Sequence, residues 1–278
     1  MKKMLIICVL IVLHSGFKPK QITWVALGDS ITYLNDHQNE TGNRITKGYM
    51  TRVVEKMPEL SFVNKGFNGW TATRIEADID KLGLQPADLY TIFLGTNDWW
   101  GSKPLGTMDD YNNNTGPNSI HGAFRIIINK MRSLNNKASI VLITPMQRVD
   151  FVYINNYKNN AWGSYRDKNG LQLEAVANAI SAIGEKENIP VVDLYHIRKM
   201  NHAKLVRFKR LKDPSTGQYR DYRYPKFIDI PFDPQKDEYP YPQESINVTY
   251  DGLHPSDKGY EIITNKLLAV LKKINFQQ

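Results

Sequence analysis

The chain has 278 residues, enough to bury a substantial core without cross-links, and its 41% hydrophobic and 23% charged residues are an ordinary globular balance. A formal charge of +8 favours anionic partners, yet Lys and Arg are scattered along the chain and no nucleic-acid motif accompanies them, so no nucleic-acid partner is expected. The single cysteine, Cys8, excludes an internal disulfide framework and a cysteine-based metal site.

Lys2 and Lys3 precede an apolar run over 5–13 that ends at His14, Ser15 and Gly16. This pattern reads as a signal peptide over 1–16 and predicts a secreted or periplasmic protein. The run is short for a membrane span, and Ile7 before Cys8 does not suit a lipoprotein signal, so no stable membrane anchor is expected. Residues 20–278 are read as a single domain. No oligomeric state has a signature in the sequence.

Residues 22–27 (ITWVAL) form a short β-type run ending at Gly28. Helical spacing over 48–57 stops at Pro58, and 60–63 is a second strand candidate. A helix follows over 71–82, with Ile75, Ile79 and Leu82 on one face. Residues 88–94 (DLYTIFL) are a continuous apolar strand between Pro86 and Gly95. The spacing of Phe124, Ile127, Ile128 and Met131 predicts a helix over 120–134. Residues 139–143 (SIVLI) are another buried strand, closed by Pro145. A long helix over 171–188 and Pro190 precede a strand over 191–194. The last helix spans 256–274 with Ser256 as its N-cap.

Two stretches break the alternation. Residues 99–118, rich in Gly, Asn and Asp, read as a long loop. Residues 196–250 read as an ordered, aromatic-rich insert that packs beside the site and can wall its pocket. The rest alternates apolar strands with helices. That predicts a parallel sheet of about five strands in a three-layer α/β/α sandwich of doubly wound, flavodoxin-like type. Ligands bind such sheets beyond the carboxyl ends of the strands.

Four short segments follow predicted strands or precede the last helix. Gly28-Asp29-Ser30 puts a serine hydroxyl at the mouth of the sheet. Asn64 to Gly69 (NKGFNG) supplies glycine, whose backbone N–H can approach a ligand closely. Gly95-Thr96-Asn97-Asp98 supplies a side-chain amide of the kind that stabilises a developing oxyanion. Asp251-Gly252-Leu253-His254-Pro255 places a carboxylate three residues before a histidine, where it can hold the imidazole in one tautomer. Each segment alone is as compatible with an ordinary turn or surface pair.

Together and in this order, GDS, NKGFNG, GTND and DGLHP resemble the four blocks of the SGNH (GDSL-type) hydrolase superfamily, from about residue 22 to about residue 272 apart from the insert. The resemblance implies Ser30 as nucleophile, His254 as general base and Asp251 as its orienting partner. It implies an oxyanion hole of the Ser30 and Gly69 N–H groups and the Asn97 amide. No metal or cofactor is required for the two-step acyl transfer such residues perform.

Trp70, Trp99 and Trp100 flank these blocks and are candidates for stacking on sugar rings, or equally for packing. With no long apolar lid evident, a carbohydrate O-acetyl esterase acting on a small-molecule or glycan ester is the expected activity. A lysophospholipase or thioesterase, an acyltransferase and a non-catalytic glycan-binding module remain open alternatives.

Overall fold

The computed structural model describes residues 21–276; the segment read as a signal peptide lies outside them. The chain opens with strand β1 (Ile22–Gly28), buried along its carboxyl half. Helix α1 (Ser30–Tyr33) starts two residues later, and α2 (Tyr49–Lys56) leads into β2 (Leu60–Gly66). Helix α3 (Ala72–Asp78), capped by the Thr71 hydroxyl, precedes the wholly buried β3 (Leu89–Phe93). The stretch expected to be a loop contains two short helices, α4 (Thr96–Trp100) and α5 (Met108–Asn113). Thr107 and Asp110 make a reciprocal capping box that starts α5, a local signal that offsets its poor helix formers.

Helix α6 (Ile120–Leu134) and β4 (Ser139–Ile143) follow the expected pattern. An antiparallel hairpin then appears that the sequence did not predict, formed by β5 (Phe151–Tyr153) and β6 (Asn156–Ala161). Helix α7 (Leu173–Glu187) leads to β7 (Val191–Val192), shorter than expected because Asp193 to His196 turn away on hydrogen bonds to the Asp193 carboxylate. The insert holds α8 (His202–Leu205) and a second hairpin, β8 (Lys209–Lys212) with β9 (Tyr219–Tyr222). Helix α9 (Asp257–Leu271) closes the domain, its first turn capped by Ser256.

The central sheet has five parallel strands in the order β2-β1-β3-β4-β7. Alternation along each strand divides two cores. Trp24 and Ala26 face one core with α2, α9 and the insert, whereas Val25 and Leu27 face the other with α3, α6 and α7. This is the expected three-layer sandwich. Phe227 and Tyr241 of the insert are completely buried in the first core, so the insert is part of the fold.

Strand order reverses at β1, which lies between β2 and β3. Gly28 pairs with Gly66 on one side and Phe93 on the other, so the loops carrying Ser30, Gly69 and Asn97 leave the sheet at one level. A crevice at such a reversal is where doubly wound sheets bind ligands.

Candidate active site

Ser30 is the first residue of α1, immediately beyond β1. Asp29 caps that helix by accepting a 3.0 Å hydrogen bond from the Ile31 N–H. His254 and Asp251 arrive from the loop before α9. Two long-range bonds anchor that loop: the Val149 N–H donates to the Gly252 carbonyl and the Val152 N–H to the Asp251 carbonyl. Gly252 has φ +92° and a Cβ there would lie 1.9 Å from the Asp150 carbonyl oxygen, so only glycine fits this turn. The Tyr260 hydroxyl in α9 donates to the Ile31 carbonyl at 2.9 Å, tying the histidine's helix to the serine's.

These constraints bring Ser30 to His254, 224 positions away in sequence, and to the Asp251 that holds it. The Ser30 hydroxyl lies 2.8 Å from His254 Nε2, and His254 Nδ1 lies 2.7 Å from Asp251 Oδ2. The other Asp251 oxygen accepts from the Leu253 and His254 N–H groups, at 3.0 and 2.7 Å. Asp251 is completely buried and His254 is 7% exposed. Tyr250 stacks on the imidazole at 5.9 Å and Phe151 meets it edge-on at 5.3 Å. The carboxylate assigns the proton to Nδ1, which directs the lone pair of Nε2 at the serine hydroxyl.

Ser30, Gly69 and Asn97 line one cleft of about 490 Å³ together with His254. Gly69 has φ +73° and nothing within 4 Å of where a side chain would sit, which leaves its backbone open to the cleft. The Asn97 amide donates to the Trp70 carbonyl at 3.0 Å, which orients the side chain and uses one of its two N–H donors. Asp98 holds the two loops together by accepting from the Ala72 and Thr73 N–H groups at 2.7 and 3.2 Å. Burial pushes the Asp98 carboxyl above its ordinary range, and those N–H bonds oppose the rise.

The three tryptophans part company. Trp100 lines the cleft. Trp99 is completely buried, with its indole N–H donating to the Leu171 carbonyl at 2.8 Å, so it packs the core and cannot meet substrate. The difference follows from α4: neighbours on a helix point about 100° apart. Trp70 lies off the cleft lining, stacked on Phe67 at 4.6 Å with the Arg74 guanidinium 4.2 Å over its ring.

The tyrosine-rich insert, read as 196–250, reaches the cleft lining at its last residue, Tyr250. The rest of the insert stays off the lining, and Phe151, Tyr153, Asn159 and Ala161 of the first hairpin line the cleft there. The insert instead buttresses the hairpin from behind, with the Tyr241 hydroxyl donating to the Asp150 carbonyl and that of Tyr239 to the Val152 carbonyl. Arg148, another lining residue, has no motif to mark it in the sequence.

A parallel α/β/α sandwich with a serine–histidine–aspartate chain at its topological switch defines a hydrolase of the serine-esterase class. A model of the GDSL-like Lipase/Acylhydrolase family matches residues 26–262, and the chain belongs to that family. A possible lipase from Chitinophaga pinensis DSM 2588 is 56% identical, with a TM-score of 0.91 over 92% of this chain and 100% of that one. A Lactobacillus plantarum protein is 18% identical with a TM-score of 0.57, covering 92% of this chain and 99% of its own. A variant of an acetyl-xylooligosaccharide esterase from Geobacillus stearmophilus is 17% identical with a TM-score of 0.52, covering 93% and 98%. The last two share the fold. No curated protein matches the chain.

Proposed function

We propose that the protein is an exported carbohydrate O-acetyl esterase in which Ser30, His254 and Asp251 carry out acyl transfer. The hydrogen-bonded chain from Ser30 through His254 to Asp251 is the observation that carries the mechanism. His254 Nε2 takes the hydroxyl proton as Ser30 Oγ attacks the ester carbonyl. The Ser30 and Gly69 N–H groups and the Asn97 amide receive the oxyanion. When the tetrahedral intermediate collapses, the carbonyl carbon's bond to the alcohol oxygen breaks and His254 returns the proton to that oxygen. Water then attacks the acyl-enzyme by the same path and frees the acid and Ser30.

The substrate class is supported by the lining of the cleft. Glu40, Asn68, Asn97, Asn159 and Arg148 interrupt its apolar surface. A long acyl chain would have to desolvate these groups, which is unfavourable without replacement hydrogen bonds, whereas sugar hydroxyls supply such bonds. The acetyl-xylooligosaccharide esterase from Geobacillus stearmophilus offers a precedent for such a substrate in this fold. Export is supported by Lys2, Lys3 and the apolar run after them.

A panel of p-nitrophenyl esters from acetate to palmitate, beside acetylated oligosaccharides, tests this reading. Fast release of acetate from the sugars, with rates on the panel falling as the chain lengthens, is expected. Preference for palmitate with no acetate released from any sugar would replace it with a lipid acyl hydrolase.

A further inference from the structure

Cations and indole rings alternate through one side of the cleft: Arg148 and Trp100 lie on its lining, Trp99 lies behind them in the core, and Lys168 and Trp162 lie beyond the lining. The Arg148 guanidinium lies 5.6 Å from the ring of Trp99 and 5.3 Å from that of Trp100. The Lys168 ammonium lies 4.1 Å from the Trp100 ring and 4.3 Å from that of Trp162. Trp100 and Trp162 meet nearly at right angles with centroids 4.7 Å apart, so Lys168 occupies the corner between them. The array runs from Arg148, which is 1% exposed, out to Trp162. At 37%, Trp162 is one of two large apolar residues that are exposed among the described residues.

Neither cation has a carboxylate partner among the described residues: no ion pair within 4 Å involves Arg148 or Lys168. The acids nearest to Arg148 in charge are already committed. Asp150 accepts from Lys209 Nζ at 2.7 Å and from the Tyr165 hydroxyl, and Asp251 is bound to His254. Glu40, the carboxylate on the cleft lining, accepts from the Tyr33 hydroxyl at 2.8 Å and the Asn68 amide at 3.3 Å. Arg148 Nε and Nη2 are buried without any hydrogen-bond partner. A buried guanidinium with unmet donors is costly, and because Arg148 also reaches the cleft lining, an oxygen acceptor in the cleft that draws the guanidinium towards it relieves part of that cost.

We propose that the cleft and its rim select an acidic glycan: Trp100 on the lining and Trp162 on the rim beside it offer stacking surface for sugar rings, and Arg148 in the cleft and Lys168 on the rim receive a carboxylate carried by a uronic-acid unit beside the acetylated sugar. This rests on the carbohydrate-esterase reading and names the class of sugar within it. Arginine provides a planar fork that matches a carboxylate, and Lys168 adds a point charge on the side towards Trp162. Charge on the ligand then acts through binding, so it changes KM more than kcat.

The test compares acetate release from an acetylated oligogalacturonate with release from the same oligomer after methyl esterification of its carboxylates. An acetylated xylo-oligosaccharide serves as a neutral reference. The expected result is a kcat/KM at least tenfold higher for the charged oligomer in dilute buffer, shrinking severalfold in 0.5 M salt as screening sets in. Lys168→Gln and Arg148→Gln narrow the preference by raising KM for the charged oligomer; Lys168 is only half-buried, so its variant reports even where the Arg148 variant folds poorly. Equal rates on the charged and neutral oligomers, or preference for the neutral ones, would overturn the acidic-glycan inference and leave the esterase reading standing. Turnover of long-chain esters with no acetate released from any of the three sugars would remove the carbohydrate reading itself.

Discussion

At the scale of single residues, the site separates groups that react from groups that hold them. Asn97 is oriented by its bond to the Trp70 carbonyl and keeps a second donor for the cleft. Asn97→Ala should lower kcat on the order of 10²–10³-fold with little change in KM, because an oxyanion donor acts mainly in the transition state. Steady-state kinetics on p-nitrophenyl acetate read this directly, and a loss confined to KM would assign Asn97 to ground-state binding.

Asp29, beside the nucleophile, has a different role. Burial lifts its carboxyl to about 6, opposed by the Ile31 N–H and by the nearby His254. An unfolded aspartate titrates near 4, so between about pH 4 and 6 the native state holds more protons than the unfolded chain. Stability from this group therefore falls as pH rises through that window, and the cost, on the order of 3 kcal/mol, is complete above pH 6. Asn at position 29 can still accept from Ile31 but carries no charge. Asp29→Asn should raise Tm relative to the parent at pH 8 and lose that advantage at pH 4.5; the same difference at both values would show that the buried charge is not the cause.

At the scale of elements, the geometry depends on how the loops are pinned. Gly252 sits against the Asp150 carbonyl between Asp251 and His254. Gly252→Ala should cost more than about 1 kcal/mol in stability, since its φ is positive and the added carbon collides with backbone. It should also lower kcat by shifting the histidine loop, and thermal melts paired with kinetics test both. An unchanged enzyme would mean that this loop is free to relax.

The same scale explains what the sequence made legible. The apolar runs at 88–94 and 139–143 appear as the buried strands β3 and β4, because strands covered on both faces have continuous apolar sequence. Ser256 caps α9 as its side-chain chemistry predicts. The hairpin of β5 and β6 was hidden. Its second strand, NYKNNA, is polar and largely exposed, with no period to reveal a strand. Its first, FVY, spans only three residues. Trp99 and Trp100 looked equivalent because 99–118 read as a loop. Once α4 extends to Trp100, one ring points into the core and its neighbour into the cleft. Arg148 lacked any local signal: its importance arises from rings at positions 99 and 100 that only the fold brings near.

At the scale of the whole molecule, one sheet serves two cores, and the site lies where they meet at the carboxyl ends of β1 and β3. The insert completes one core and supports the hairpin that walls the cleft, so its aromatic residues contribute to the site from behind, apart from Tyr250 at its end, which lines the cleft. No helix among the described residues is long and apolar enough to cross a membrane. The proposed mechanism rests on one activated hydroxyl, that of Ser30, bonded to His254. Its most direct test is the mass of the protein, and then of its peptides, after reaction with a fluorophosphonate, which phosphonylates a serine activated by an adjacent base. The account predicts one adduct, on the peptide carrying Ser30, and none in His254→Ala. An adduct on another residue, or none on the parent protein under conditions where it hydrolyses esters, would contradict the assignment of Ser30 as the nucleophile.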